Sequence, residues 1–326
     1  MAVRVLDLFC GGGGSSWGAS EFGAEIVCGV DAWDIATKTF KDNFKDASAV
    51  NAELSEASGR NVVGKIGPID LLLASPECTN HTCARGSRER DEDSRRTALY
   101  VLNYVKLFKP RWLIIENVVQ MRAWTGYAQL IRELERDYFL TPQVLDAAKF
   151  GVPQTRRRLF VVGDREMQPP DLSGRRWKSP SSVRQLLDPT GTWEAKPLYR
   201  PGRAKGTLER AKRAMKALGE GVPYLIVYYG SDGAGGWQRL DRPLRTLTTL
   251  DRFGLVEWNK SEPTLRMLQV PELKRAMGLP ASFTMNHGTR RDRIKILGNG
   301  VCPPVVTKIL SSVVIQNQSG VAMAAE

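Results

Sequence analysis

Val3-Arg-Val-Leu-Asp-Leu-Phe-Cys-Gly-Gly-Gly-Gly14 is an apolar run that breaks into four glycines and then into helical spacing. It reads as a strand over Val3–Phe9, a loop, and a helix over Ser16–Phe22. Glu25–Val30 is a second strand, followed by a helix through Thr39–Phe44. Ile69–Ala74, Trp112–Glu116 and Leu159–Val162 read as further strands, with helices near Ser94–Phe108 and Tyr127–Asp137. Continuous apolar strands separated by helices predict an α/β fold whose mostly parallel, Rossmann-like sheet is covered on both faces.

Glycines at a strand-to-helix turn let the backbone approach a ligand and leave amides at the helix N-terminus. Cys10, Gly11, Gly12 and Gly14 are therefore candidate cofactor contacts. The second strand ends at Asp31, where a carboxylate suits two ribose hydroxyls, and Trp33 lies close enough to cover an adenine face. Asp31 as a cap for the next helix is the alternative. The loop has no lysine–serine pair of the triphosphatase kind.

The formal charge of +12 favours a polyanionic partner such as nucleic acid. Five cysteines without paired ligand spacing and only His81 and His287 predict no metal site. Cys10 and Cys28 sit in apolar surroundings and read as small buried hydrophobes. The chain opens directly on a strand, with no signal peptide, and no run approaches the ~20 apolar residues of a membrane span. A cytoplasmic protein results, and nothing requires more than a monomer.

The alternation breaks after Gly163. Residues 164–245 are rich in Pro, Gly, Arg and Trp, with a helical patch around Leu208–Leu218 and one strand, Tyr224–Tyr229. Between Lys196 and Lys216, eight basic residues face one acid, Glu209, so Lys205 and Arg213 are candidate phosphate contacts. Pro271–Met277 has helix signals, and a helix from about Pro304 to Gln316 offers an apolar face to the first domain. The expected division is 1–165 catalytic and cofactor-binding, 166–270 recognition, 271–320 returning to the first domain, and 321–326 a tail.

Cys78 follows the strand Ile69–Ala74 at the carboxyl edge of the sheet, and Glu116 ends the next strand. Neighbouring strands lie about 5 Å apart, so the two face one substrate together. Gln154-Thr-Arg-Arg-Arg158, read as following the third such segment, supplies guanidinium groups beside that cleft. A carboxylate ending an apolar strand is costly without a partner or a job. A buried thiol, a capping carboxylate and surface arginines are the bland readings of the same residues.

These segments resemble the cytosine-5 DNA methyltransferase family over nearly the whole chain. Asp7–Gly14 is similar to its cofactor loop, Glu116-Asn-Val118 to its glutamate motif and Gln154–Arg158 to its Gln-x-Arg-x-Arg motif. Arg242-Pro-Leu-Arg-Thr-Leu-Thr-Thr249 resembles the motif that orients the recognition domain, and Gly298-Asn-Gly-Val-Cys-Pro-Pro-Val305 the final one. The resemblance implies a methyltransferase fold, S-adenosylmethionine as cofactor, no metal, double-stranded DNA as partner and a flipped-out cytosine as target. It implies Phe9, Asp31, Trp33, Asn51, Pro76, Asn299 and Val301 at the cofactor. It further implies Cys78 as nucleophile, Glu116 at the ring, and Arg156 and Arg158 serving the flipped nucleotide.

One departure stands beside the nucleophile. The family has proline before it and glutamine after; this chain reads Ser75-Pro-Glu-Cys-Thr79. Glu77 either points away to an arginine such as Arg85 or Arg88, or accepts from the target amine. The third reading is a slow, inactive or altered enzyme, including one that transfers a modified alkyl group. Thr79, Asn80 and His81 are further candidate modulators. Arg85 and Arg88 belong to a charged lid, 85–96, that meets phosphates. Transfer RNA is the alternative substrate.

Overall fold

The computed structural model describes residues 2–77, 92–229 and 235–323. Its central sheet holds β1 (Arg4–Leu8), β2 (Glu25–Asp31), β3 (Ser48–Asn51), β4 (Leu71–Ala74), β5 (Trp112–Asn117), β6 (Phe139–Asp146) and β7 (Arg157–Asp164). The order is β3-β2-β1-β4-β5-β7-β6. The first five strands pair in parallel, whereas β7 runs antiparallel between β5 and β6. Helices α1 (Gly14–Phe22), α2 (Asp34–Asn43), α3 (Arg60–Val63), α4 (Glu92–Phe108) and α5 (Thr125–Leu134) connect them.

Burial alternates along the inner strands. Leu71, Leu73 and Ile114 enter the core on one face, and Leu72, Ala74, Leu113 and Ile115 that on the other. Both faces being covered is why these strands read as unbroken apolar runs. The expected strands and helices are present with ends moved by a few residues; α5, for example, lies at Thr125–Leu134. Two strands have no counterpart in the expectations, β3 and β6. The latter is an edge strand interrupted by Pro142, which costs no ladder bond there but erases the sequence signature.

A second, antiparallel sheet contains β8 (Lys196–Pro197), β9 (Tyr224–Val227), β10 (Trp237–Arg239), β11 (Phe253–Asn259) and β12 (Glu262–Met267) in the order β10-β9-β11-β12-β8. The single strand expected in this region is thus one of five and stops at Val227. One face packs on α6 (Lys205–Leu218) through Tyr224, Ile226, Ala211 and Ala214. The alternate residues Leu225, Val227 and Leu255 join the first core.

The chain then returns through α7 (Val270–Ala276), α8 (Arg290–Asn299) and α9 (Pro303–Met323). Helix α9 lies against α1, where a Cβ on Gly18 would stand 2.5 Å from the Pro303 carbonyl oxygen. Thr307 donates its hydroxyl to the Gly18 carbonyl at 2.8 Å. By length and composition 290–314 is apolar enough to cross a membrane, but 61% of its most apolar window is buried inside this protein.

The entry to α7 rests on Glu272, fully buried and paired with Arg266 through bonds of 2.8 and 2.7 Å. It also accepts from the Gln269 and Asp188 amides. Glu272→Ala strands the buried guanidinium, and we expect a loss of about 3–5 kcal/mol in urea unfolding. A loss below about 1 kcal/mol, the range of an exposed pair, would show that the pair is not holding this junction.

Candidate active site

The carboxyl ends of β1, β2, β4 and β5 open into a cleft of about 480 Å³. Because β7 is antiparallel, its starting end meets the finishing end of β5. Residues 154–158 therefore lead into the strand rather than following one, which corrects their expected placement and still puts them at the cleft.

At the cofactor end, Phe9 and Trp33 supply aromatic surface and Asp31 a carboxylate. Phe9 holds a positive φ of 55°, a backbone state costly for a residue with a Cβ and concentrated at functional sites. Asp31 accepts from the Gly11 amide at 2.9 Å and the Trp33 amide at 2.8 Å. Two further lone-pair sites remain on its oxygens. Burial raises its pKa against these amides and Lys295.

Four consecutive glycines are needed here for two different reasons. Gly11 lines the cleft, and a Cβ there would meet nothing. Added Cβ atoms on Gly12, Gly13 and Gly14 would strike Ile296 at 2.7 Å, Phe44 at 2.5 Å and the Val301 carbonyl oxygen at 2.4 Å. Gly12 and Gly14 thus serve as packing positions against the returning segment, and neither lines the cleft. Asn51 does not line the cleft either; it donates to the Asp31 carbonyl at 3.1 Å, while Ala52, Glu53 and Leu54 take the wall.

Pro76, Asn299 and Val301 line the cleft. So does Lys295, which sequence reasoning missed; its ammonium stands 4.2 Å from the centre of the Trp33 ring. Only its proximity to the Gly298–Val305 motif signalled it.

The described thiols are unreactive by environment. Burial, with Asp7 and Asp31 adding like charge, pushes the Cys10 thiol well up, and burial takes Cys28 to about 12 and Cys302 to about 11. Beneath the loop, Asp7 is fully buried. One of its oxygens accepts from the Ser16 hydroxyl at 2.7 Å, and the other has no partner among the described residues.

At the reaction end, Glu116 and Arg158 form a buried pair, Nε to Oε1 at 3.2 Å. Burial raises the Glu116 pKa, while Arg158 and then Arg156 oppose the rise. The neighbouring Asn117 donates to the Pro76 carbonyl at 3.1 Å and accepts from the Val118 amide. The end of β5 thereby fixes the turn that leads to Cys78.

Arg156 also lines the cleft. Its guanidinium is buried and donates to the carbonyls of Leu247 at 3.0 Å, Gly298 at 2.8 Å and Gly300 at 2.9 Å. It holds the wall of the cleft in place, and Arg158 is left as the arginine beside the carboxylate. Gln154 supports the same junction by donating to the Ala276 carbonyl and accepting from the Leu247 amide.

Glu77 is exposed at the mouth of the cleft. Cys78, Thr79, Asn80, His81, Arg85 and Arg88 lie outside the described residues. In the second sheet region, Lys205 is exposed at the start of α6, and Arg213 donates to the Gly235 carbonyl at 3.0 Å.

A doubly covered sheet with a cofactor-sized cleft at its carboxyl edges, a carboxyl–guanidinium pair on one side and a carboxylate with two aromatics on the other defines a nucleoside-cofactor transferase fold. The C-5 cytosine-specific DNA methylase family model matches residues 3–314, and the chain belongs to that family, the DNA cytosine-5 methyltransferases. The type II methyltransferase M.HgiDI of Herpetosiphon aurantiacus is 34% identical over 175 residues, 52% of this chain and 55% of that protein. M.HindV of Haemophilus influenzae is 27% identical over 322 residues, 96% of each chain. The chain thus spans about half the length of the first and nearly all of the second. The crystal structure of the S. pombe Dnmt2 methyltransferase superposes with a TM-score of 0.69 at 16% identity, over 97% of this chain and 99% of that one, and shows a shared fold.

Burial raises the Asp7 carboxyl from 3.8 to about 7. Between those values the unfolded chain is ionised while the fold keeps the proton, so stability falls as pH rises from about 4 to 7 and is flat outside. At about 1.4 kcal/mol per unit the fall is of order 4 kcal/mol. Asp7→Asn should remove that slope, leaving the variant's advantage larger at pH 8 than at pH 5 in urea unfolding; parallel curves would refute it. Arg156→Ala, and equally Arg156→Lys with a single ammonium for three carbonyls, should cost ~3 kcal/mol or more. Calorimetry should also find cofactor binding weakened at least about tenfold, since 1.4 kcal/mol suffices for that.

Proposed function

We propose that this chain transfers a methyl group from S-adenosylmethionine to C5 of a cytosine turned out of duplex DNA. Cys78 is the nucleophile, with Glu116 and Arg158 polarising the ring. The observation that carries this is the buried Glu116–Arg158 pair, tied through Asn117 to the Pro76 turn immediately before Cys78.

The cleft fits the cofactor. Its volume is that of an ordinary small-molecule site, and Phe9, Trp33 and Asp31 offer aromatic faces and a carboxylate suited to an adenosine. Pro76, Asn299 and Val301 face the remainder. When bound, S-adenosylmethionine supplies an electrophilic methyl group.

C5 of cytosine is a poor nucleophile. Bond formation between the Cys78 thiolate and C6 pushes the C5–C6 π electrons through the ring, and Glu116 delivers its proton to N3 as charge gathers there. Arg158 holds O2 and favours the same polarisation. C5, now enamine-like, takes the methyl group. A base then removes the C5 proton, C5=C6 re-forms, the thiolate leaves and N3 returns its proton to Glu116. Base flipping is required because C6 is otherwise inside the stack.

In this reading 1–165 and 271–320 form the catalytic unit and 166–270 the recognition unit; of the expected tail, 321–323 belong to α9 and 324–326 lie outside the described residues. The protein is a cytoplasmic monomer in which Arg213 is engaged by the Gly235 carbonyl and Lys205, Arg85 and Arg88 meet phosphates. Glu77 points to one of those arginines, leaving Cys78 free of like charge.

The test is a duplex carrying 5-fluorocytosine, in which fluorine replaces the C5 proton and blocks the final elimination. Wild type should form a denaturation-resistant complex and Cys78→Ser none, and full activity in Cys78→Ser would sink the mechanism. Glu116→Gln should lower kcat by ~10²–10⁴ with duplex binding retained.

A further inference from the structure

We infer that the flank formed by Arg175-Arg-Trp-Lys178 and Lys308 is a second contact surface for the phosphate backbone of duplex DNA, lying outside the cleft. It rests on the duplex being the substrate.

Trp177 is seated against the core, and cations stand around it. The Lys308 ammonium is 4.0 Å from the centre of its ring and the Arg175 guanidinium 5.9 Å. Arg175, Arg176 and Lys178 are exposed. None of these four cations has a carboxylate within ion-pair distance among the described residues, although most of the arginines near the recognition sheet do or donate to backbone carbonyls. Asp171 is the acid in the segment, and its carboxylate is engaged by the Ser173 amide. Like charges gathered on one indole repel, and an anion lying across them turns that repulsion into attraction.

The strip is held rigidly. The Trp177 and Lys178 amides both donate to the Lys149 carbonyl, at 2.8 and 3.0 Å, and the Lys149 ammonium donates to the Ser173 carbonyl at 2.8 Å. Ser181 donates to the Gly151 carbonyl. These anchors sit just beyond the carboxyl end of β6, the sheet edge farthest from the cofactor strands. Ala147, two residues before Lys149, borders the Glu116–Arg158 pair together with Val305, one turn before Lys308 on α9. The strip is therefore one layer outside the reaction end, where a duplex held at the cleft would continue past the flipped base.

Phosphate backbone fits better than a lipid surface. Trp177 is packed inward, and none of the exposed large apolar residues among those described belongs to this strip, so nothing anchors it in a bilayer.

The test compares wild type with Arg175→Ala/Arg176→Ala/Lys178→Ala, which alters no residue placed in the active site. Fluorescence anisotropy gives Kd for duplexes of about 12 and about 40 base pairs across a salt series. Each lost phosphate contact should reduce the slope of log affinity against log salt by ~0.9, hence by about 2–3 on the long duplex, with little change on the short one. Arg175→Lys/Arg176→Lys with Lys178 intact should keep the wild-type slope. An unchanged slope on the long duplex overturns the inference, as does a loss confined to a folded RNA of similar length. The trapping reaction on the short duplex separates this outcome from failure of the proposed function. Trapping with an unchanged slope removes only the second surface, and a changed slope without trapping removes only the chemistry.

Discussion

A guanidinium group enclosed by protein must find its acceptors inside, and Arg156 finds them in Leu247, Gly298 and Gly300. Those three carbonyls come from two segments far apart in the chain: one links β10 to β11 of the second sheet, the other forms a wall of the cleft. Both are fastened to the residue that opens β7. Leaving a buried charge unsatisfied costs several kcal/mol, so the three segments are obliged to meet. Arg158, two residues on and pointing to the same side of the strand end, inherits a fixed position beside Glu116.

The Glu116–Arg158 pair is a compromise between opposing demands. Burial favours the neutral carboxyl and outweighs the arginines, which favour the carboxylate. Asn117 adds a mechanical link, because its amide grips the Pro76 carbonyl from the neighbouring strand end. The ends of β4 and β5 are thereby tied together beside the carboxyl.

Much of this was legible in the sequence. The unbroken apolar runs gave the parallel sheet because two-sided burial leaves no alternation to hide behind. Asp31, Glu116 and Arg158 were legible because polar groups at apolar strand ends stand out. What stayed hidden depended on direction and distant partners. Nothing local shows that β7 runs backwards, and Pro142 masks β6. Gly12 and Gly14 look like ligand contacts until Ile296 and Val301 arrive against them from the far end of the chain. Arg156 and Arg158 carry the same side chain two residues apart, and only tertiary acceptors set the arginine on three backbone carbonyls apart from the one beside Glu116. The short strands of the second sheet are hidden by turns rich in Gly and Pro.

The packing of α9 into the glycine groove of α1 has a consequence for how the protein comes into being. Thr307 meets Gly18 across 289 positions, and one core holds both Val5 and Ile309. The groove on α1 and its apolar rim stay uncovered until α9, 289 positions further on, has been made. Contacts this distant slow folding, because loop-closure entropy must be overcome before they contribute. Seating of α9 on α1 therefore belongs among the late steps of folding.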